Sequence, residues 1–293
     1  LTGTITVAAD AFDNVSVLGV QFKLDGVNVG AEDTSAPYSI PLNTAAYSNG
    51  NHTLTAVARD APGLTTTSDP VALAFRNTPP SGFGKVLPLG DSIVYGWTGD
   101  AHSEDGGFRR FLWETLAANG MTANTNFVGP TQTGIAGIDR DHDGHNGWRT
   151  DQIQGLVAPD FNAYDPALVI VDGGANDLNQ GRTVTQALNG LSSLMTAIFA
   201  AKPTVKVLLL NYFIPRVNND YPLIATQIPN FNAGIPSIVS GLVASGRNIE
   251  LADLTTAGLS TASNSPDFAA DGLHPSSAGY SKIAALVYSA LTN

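Results

Sequence analysis

Four short polar stretches of this 293-residue chain carry groups that could do chemistry together. Gly90-Asp91-Ser92 follows an apolar run, Lys85 to Leu89, that reads as a strand. A serine at a strand end beside glycine can act as a nucleophile or help bind a phosphate; it can equally cap a tight turn. Asp172-Gly173-Gly174-Ala175-Asn176-Asp177 follows a second apolar run, and Asn211-Tyr212 a third. Asp271-Gly272-Leu273-His274-Pro275 precedes a final amphipathic stretch. A serine hydroxyl needs a base within hydrogen-bond reach, and the base needs an orienting carboxylate. Five histidines are available, His52, His102, His142, His145 and His274. Only a glycine and a leucine separate His274 from Asp271, and Pro275 biases His274 to an extended backbone. A turn aspartate and a helix-capping histidine are the alternatives; beside a strand-end serine the catalytic pairing is preferred. Acyl transfer also needs donors for a developing oxyanion. The candidates are the backbone N–H of Ser92, that of Gly147 and the side-chain amide of Asn176, with turn capping and loop flexibility as the competing roles of the last two.

These stretches would have to be positioned by alternating strands and helices. After Gly84 the pattern runs strand (85–89), helix (108–118), short strand (126–128), long glycine-rich loop (131–148), strand (166–171), helix (184–201), strand (205–210), helix (228–245), strand (249–251) and terminal helix (277–291). The continuous apolar runs mark buried parallel strands. The expectation is an α/β domain, a parallel sheet of about five strands with helices on both faces. In such sheets ligands bind beyond the carboxyl ends of the strands, which is where all four polar stretches fall.

Residues 3 to 75 read differently. Period-two runs, such as Val20 to Leu24 and His52 to Arg59, alternate with turn signals such as Asp25-Gly26. This predicts an all-β sandwich over 1–76 and a Pro/Gly linker over 77–84, ahead of the α/β domain at 85–293.

Composition narrows the partners. The net charge is −11, from 25 acids and 14 bases, which disfavours nucleic acid. No apolar run looks long enough for membrane insertion. With no cysteine, a thiol nucleophile, a disulfide framework and a Cys-ligated metal are excluded. A start at Leu1 reads as a processed or trimmed chain, and the Thr, Ser, Asn and Gly content suits a secreted, extracellular monomer.

The four blocks, Gly90-Asp91-Ser92, Gly147, Gly174-Ala175-Asn176-Asp177 and Asp271-Gly272-Leu273-His274, stand in the order of the SGNH (GDSL-type) hydrolase superfamily, which the chain resembles over 85–293. The resemblance implies a flavodoxin-like three-layer α/β/α fold and esterase or lipase activity without a cofactor in the chemical step. It implies Ser92 as nucleophile, His274 as base, Asp271 as its partner, and Ser92, Gly147 and Asn176 as the oxyanion hole. Asp91 is not implied as the triad acid. Gly106-Gly107-Phe108-Arg109, Phe127-Val128-Gly129, Asp141-His142-Asp143-Gly144-His145-Asn146-Gly147-Trp148 and Asp151-Gln152-Ile153 resemble carbohydrate esterases of the acetyl xylan esterase type. The implied substrate is an acylated carbohydrate, with a small acyl or aryl ester as the alternative and a non-catalytic glycan-binding protein as the contrasting class. In the first domain, Asp13-Asn14-Val15, Val20 to Gly26, Ala36-Pro37-Tyr38 and Asn51 to Asp60 resemble bacterial Ig-like modules.

Two further expectations concern ligands. Asp91, Trp97, Trp148 and Tyr212 are the candidate substrate contacts near the active edge, with loop packing as the alternative for the aromatics. Asp139, Asp141 and Asp143 alternate ahead of Gly144 like the front of a structural calcium loop, although Thr150 stands where such a loop has its glutamate. A solvated loop is the competing reading of that run.

Overall fold

The computed structural model describes residues 1–61, 63–75, 81–98, 105–215, 222–262 and 264–292. Residues 76–80 of the expected linker region, and His102, lie outside the described residues. The chain divides into two compact units, Leu1–Pro79 and Pro80–Leu291.

The first unit contains β1 (Thr4–Ala9), β2 (Val17–Leu24), β3 (Val27–Asp33), β4 (Tyr38–Asn43), β5 (Gly50–Asp60), β6 (Thr65–Thr67) and β7 (Val71–Phe75). β1 pairs with β4; β3, β2 and β5 form a second sheet in that order, with β6 and β7 each on β5. All pairings are antiparallel. Alternate residues of β2 (Val20, Phe22 and Leu24) are buried with Ile40 and Leu42 of β4 and with Phe75, as the period-two pattern requires. Asp25 and Gly26 both take positive φ, 51° and 81°, at the β2–β3 hairpin that Asp-Gly favours. His52 is structural: its Nδ1 lies 2.5 Å from Asp25 Oδ2 and its ring packs on Phe75 at 4.5 Å.

The second unit contains, in chain order, β8 (Gly84–Gly90), α1 (Ser92–Tyr95), α2 (Gly107–Ala118), β9 (Thr125–Phe127), β10 (Thr131–Gln132), β11 (Asp141–Gly144), α3 (Thr150–Tyr164), β12 (Leu168–Val171), α4 (Ala175–Asn179), α5 (Val184–Ala201), β13 (Lys206–Leu210), α6 (Pro222–Ala244), β14 (Ile249–Ala252) and α7 (Ser277–Thr292). The sheet runs β10-β11-β8-β12-β13-β14, and β9 also pairs with β8. All neighbours are parallel except β10 and β11. β9 pairs with Gly84–Val86 and β11 with Leu89–Gly90, so two short strands share one edge of β8. The parallel core therefore has the five positions expected. The stretch read as a loop over 131–148 instead contains β10 and β11. Its Asp-His-Asp-Gly strand has no apolar period to betray it and forms because β8 supplies its backbone partners.

All of β12 is buried, as a strand covered by helices on both faces must be. α5 begins with a reciprocal cap: Thr183 Oγ1 accepts from Gln186 N–H, and Gln186 Oε1 from Thr183 N–H. By length and composition α5 could cross a bilayer, contrary to the reading of the apolar runs. It is nevertheless amphipathic, with Leu191, Leu194, Met195 and Ile198 in the core and Gln186, Ser192 and Ser193 exposed. α6 starts earlier than expected and continues through Pro229 and Pro236. The result is a three-layer α/β/α unit whose strand ends deliver Asp91, Asp172 and Asn211 to one edge.

Candidate active site

β8 leads directly into the site. Its last residue is Gly90, where a Cβ would fall 1.8 Å from Asp172 Oδ1; only glycine allows the two strand ends this close. Asp91 then caps α1, its Oδ1 accepting Ile93 N–H at 3.0 Å. Ser92 occupies the first helical position, where a backbone N–H has no partner within the helix. Gly96, at φ 88°, ends the turn. Arg109, fully buried on α2, donates to Val94 O (2.8 Å) and Tyr95 O (3.0 Å) at the turn's far end, and to Arg140 O and Thr133. Burial pushes Arg109 down to about 9, which leaves it cationic at neutral pH.

The loop before α7 closes on this turn. His274 Nε2 lies 3.0 Å from Ser92 Oγ, and His274 Nδ1 lies 2.6 Å from Asp271 Oδ2. Asp271 Oδ1 accepts the N–H groups of Leu273 and His274, both at 3.0 Å. Burial opposes ionisation of Asp271, but the His274 ring and these backbone donors outweigh it and hold the carboxyl below its ordinary range. Ser92 and His274 are 9% and 8% exposed, so the hydroxyl and imidazole meet almost out of water.

α4 supplies the third side. Gly174 precedes it at φ 123°, with the Phe231 ring where a Cβ would be. The Asn176 amide donates to Asp91 Oδ2 at 3.1 Å. Asp177, fully buried, accepts from Thr150 N–H, Thr150 Oγ1 and Arg182, and so starts α3. Gln180 Nε2 donates to Gly147 O at 2.8 Å and pins the 145–149 loop to α4.

Ser92, Asn176 and His274 line one narrow pocket with Ile93, Phe213, Ile224 and Leu273. Its cavity volume is about 20 Å³, little more than one water centre needs. A hydroxyl, a base, an oriented carboxylate and an amide around a small apolar hollow can carry out attack on a small acyl carbonyl.

Several expected contacts are placed differently. Gly147, Trp97 and Trp148 do not line the pocket among the described residues. Trp148 stacks on His145 at 4.0 Å, and Trp97 closes the α1 turn through its N–H to Ser92 O. Asp91 and Tyr212 do line the pocket, but they face each other: Tyr212 OH donates to Asp91 Oδ2 at 2.7 Å. Burial, then the nearby Asp91 carboxylate, pushes the Tyr212 hydroxyl well up, so it stays protonated and donates. The two residues thus hold each other while lining the pocket. Asn211 is held within the framework, its amide donating to Asp253 and its oxygen accepting Leu254 N–H.

The calcium expectation is corrected as well. Asp139 accepts Phe127 N–H and Asp141 N–H, Asp141 accepts Gln132, and Asp143 pairs with His145 at 2.6 Å. An extended strand sends these carboxylates to separate partners, and no group of three or more His, Cys, Asp or Glu that could hold a metal occurs among the described residues. His142 Nδ1 accepts Gly144 N–H and its Nε2 lies 2.8 Å from Thr133 Oγ1. Burial first, then the Arg109 and His145 charges, pushes it down to about 2, a neutral structural imidazole.

Arg109, Asp172 and Asp177 stand in the motifs quoted from sequence but were given no role there, and Gln180 was not singled out. Arg109 had a signal: it shares the helical face of Leu112 and Leu116, where a cation must have partners. The roles of the other three are set by partners on other elements.

Residues 89–282 match the GDSL-like lipase/acylhydrolase family, and residues 1–56 match a bacterial Ig domain. A multidomain esterase of Ruminococcus flavefaciens is 26% identical over 235 residues, 68% of this chain; the chain spans 27% of that relative's length. A family 3 carbohydrate esterase of Clostridium thermocellum is 31% identical, with a TM-score of 0.60, over 70% of this chain and 94% of that one. An acetyl esterase variant solved with an acetate ion is 26% identical, with a TM-score of 0.57, over 70% of this chain and 95% of that one. With the match spanning strand β8 to helix α7, the chain belongs to the GDSL-like lipase/acylhydrolase family.

Proposed function

We propose that the chain is a secreted serine ester hydrolase that removes acetyl or other short acyl groups from carbohydrate. The observation that carries this reading is the Ser92–His274–Asp271 chain of contacts, 3.0 and 2.6 Å long, opening on a pocket of about 20 Å³. Ser92 Oγ attacks the ester carbonyl while His274 Nε2 takes its proton, and Asp271 holds the imidazole in the tautomer that leaves Nε2 free to accept. The oxyanion is met by Ser92 N–H and by the Asn176 amide, both of residues that line the pocket. His274 returns the proton to the departing alcohol. Water then adds to the acyl-enzyme, with His274 again as base, and the acid leaves Ser92.

The acetyl preference draws on the small pocket and on the acetyl esterase and carbohydrate esterase likenesses. Secretion draws on the bacterial Ig domain and the multidomain relative. A second reading, an esterase of small acyl or aryl esters with no demand on the alcohol, is favoured by one observation: neither Trp97 nor Trp148 offers the described pocket a platform for a sugar ring. Hydrolysis of p-nitrophenyl acetate by the parent and not by Ser92→Ala is the result expected of both; equal rates would refute both. Release of acetate from acetylated xylan at a kcat/KM above that for the aryl ester separates the first from the second.

A further inference from the structure

The site contains a pair of carboxyl groups that the proposed reaction does not use. Asp91 and Asp172 are each 1% exposed, at the ends of the adjacent strands β8 and β12. Asp91 N–H donates to Asp172 Oδ1 at 2.8 Å, which brings the two buried carboxyl groups together. Two carboxylates that close and that dry cannot both ionise; one proton is shared between them. The donors around each decide which carboxyl holds it. Asp91 receives Ile93 N–H, the Tyr212 hydroxyl and the Asn176 amide. Asp172 receives Asp91 N–H, and its Oδ2 is buried with no donor among the described residues. An oxygen that meets no donor is suited to carry the proton itself, and the Asp91 carboxylate is the neighbouring acceptor. Burial raises both carboxyls, but the donors on Asp91 offset part of its rise, while burial and the Asp91 charge push Asp172 well up.

We propose that Asp172 is a positioning residue: as a neutral hydrogen-bond donor to Asp91, it fixes the carboxylate that in turn aims the Asn176 amide at the oxyanion. This rests on the reading of Asn176 as an oxyanion donor. Asp91 Oδ2 takes both the amide and the Tyr212 hydroxyl, so its orientation sets where the amide points. A carboxylate free to rotate would let Asn176 turn away from the carbonyl that Ser92 attacks. Gly90 belongs to the same device, because any side chain there would displace Asp172.

An amide can donate to Asp91 and accept its N–H, as the neutral acid does, but it cannot ionise. Asp172→Asn is therefore expected to keep kcat on p-nitrophenyl acetate within about threefold of the parent. Asp172→Leu, close in size with no donor, is expected to lower kcat about tenfold or more at unchanged KM, a fraction of what one oxyanion donor supplies. In an Asn176→Ala background the Leu substitution should have no further effect, because the group it positions is gone. A role in packing alone would predict the same loss in both backgrounds. Equal damage by Asn and Leu, a harmless Leu, or a Leu effect that persists without Asn176 would each overturn the proposal. If the Leu variant does not fold, the Asn variant decides: a tenfold loss of kcat overturns the assignment, and a rate near the parent's upholds it. Ser92→Ala and Asn176→Ala in the same assay keep the outcomes apart. If either retains the parent rate, the reading of the site has failed; if both are impaired and Asp172→Leu is not, only this inference has.

Discussion

His274 Nε2 stands 3.0 Å from Ser92 Oγ across 182 residues of chain, while its Nδ1 is held by a residue three positions away. The long contact comes from sheet topology and the short one from a local turn. Asp271 is tied to that turn twice, by the ring and by the two N–H groups on its Oδ1. Asp271→Asn should keep the turn but lose the tautomer, lowering kcat on the order of 10³- to 10⁴-fold with little change in Tm. Asp271→Ala should lower Tm as well. Steady-state kinetics with p-nitrophenyl acetate and a thermal melt test both, and a parent-like rate for Asp271→Asn would remove Asp271 from the mechanism.

Asn176 and Tyr212 share one acceptor, Asp91 Oδ2, but differ in what their loss should do. Asn176→Ala should reduce kcat about 10²- to 10³-fold and leave Tm nearly unchanged. Tyr212→Phe should leave KM unchanged and lower stability by about 1 kcal/mol, the worth of one hydrogen bond. A raised KM for Tyr212→Phe would mark the hydroxyl as a substrate contact.

The parts legible from sequence are those in which one residue's surroundings are set by its neighbours in the chain. Period two gave the β2 core residues, continuous apolar runs gave β12 and β13, and Asp271-Gly272-Leu273-His274 gave a turn that closes on itself. The sheet edge on which Ser92, Asn176 and His274 meet followed from strand–helix alternation alone. What escaped was set by distant partners. β11 is polar and forms because β8 leaves an edge open, so its aspartates resembled a calcium loop. Nothing near Tyr212 in sequence names Asp91 as its acceptor, 121 residues away.

The pocket wall includes the apolar residues Ile224 of α6 and Leu273 beside the base. With about 20 Å³ of cavity, p-nitrophenyl acetate should be cleaved with a higher kcat/KM than the butyrate, and the octanoate hardly at all. Ile224→Ala removes three carbons from the wall and should raise the butyrate-to-acetate ratio by about tenfold, within the range a methylene or two can discriminate. An unchanged ratio would place the acyl group elsewhere.

Asp160, buried on α3, is in contact with Asp143, and neither Oδ2 has a donor among the described residues. Burial first, then the hydrogen bond and charge of Asp143, pushes Asp160 up to about 8. The unfolded chain releases that proton at the ordinary carboxyl value of about 3.9. Between these limits the folded state binds more protons, so stability falls as pH rises. The contribution is complete below about 4 and is lost as pH rises through about 8. Asp160→Asn cannot ionise and can still donate to Asp143, which should remove this slope. The urea midpoint of the variant relative to the parent is expected to rise from pH 5 to pH 8.5. Parallel midpoints across that range would mean that Asp160 does not carry the proton in the folded protein.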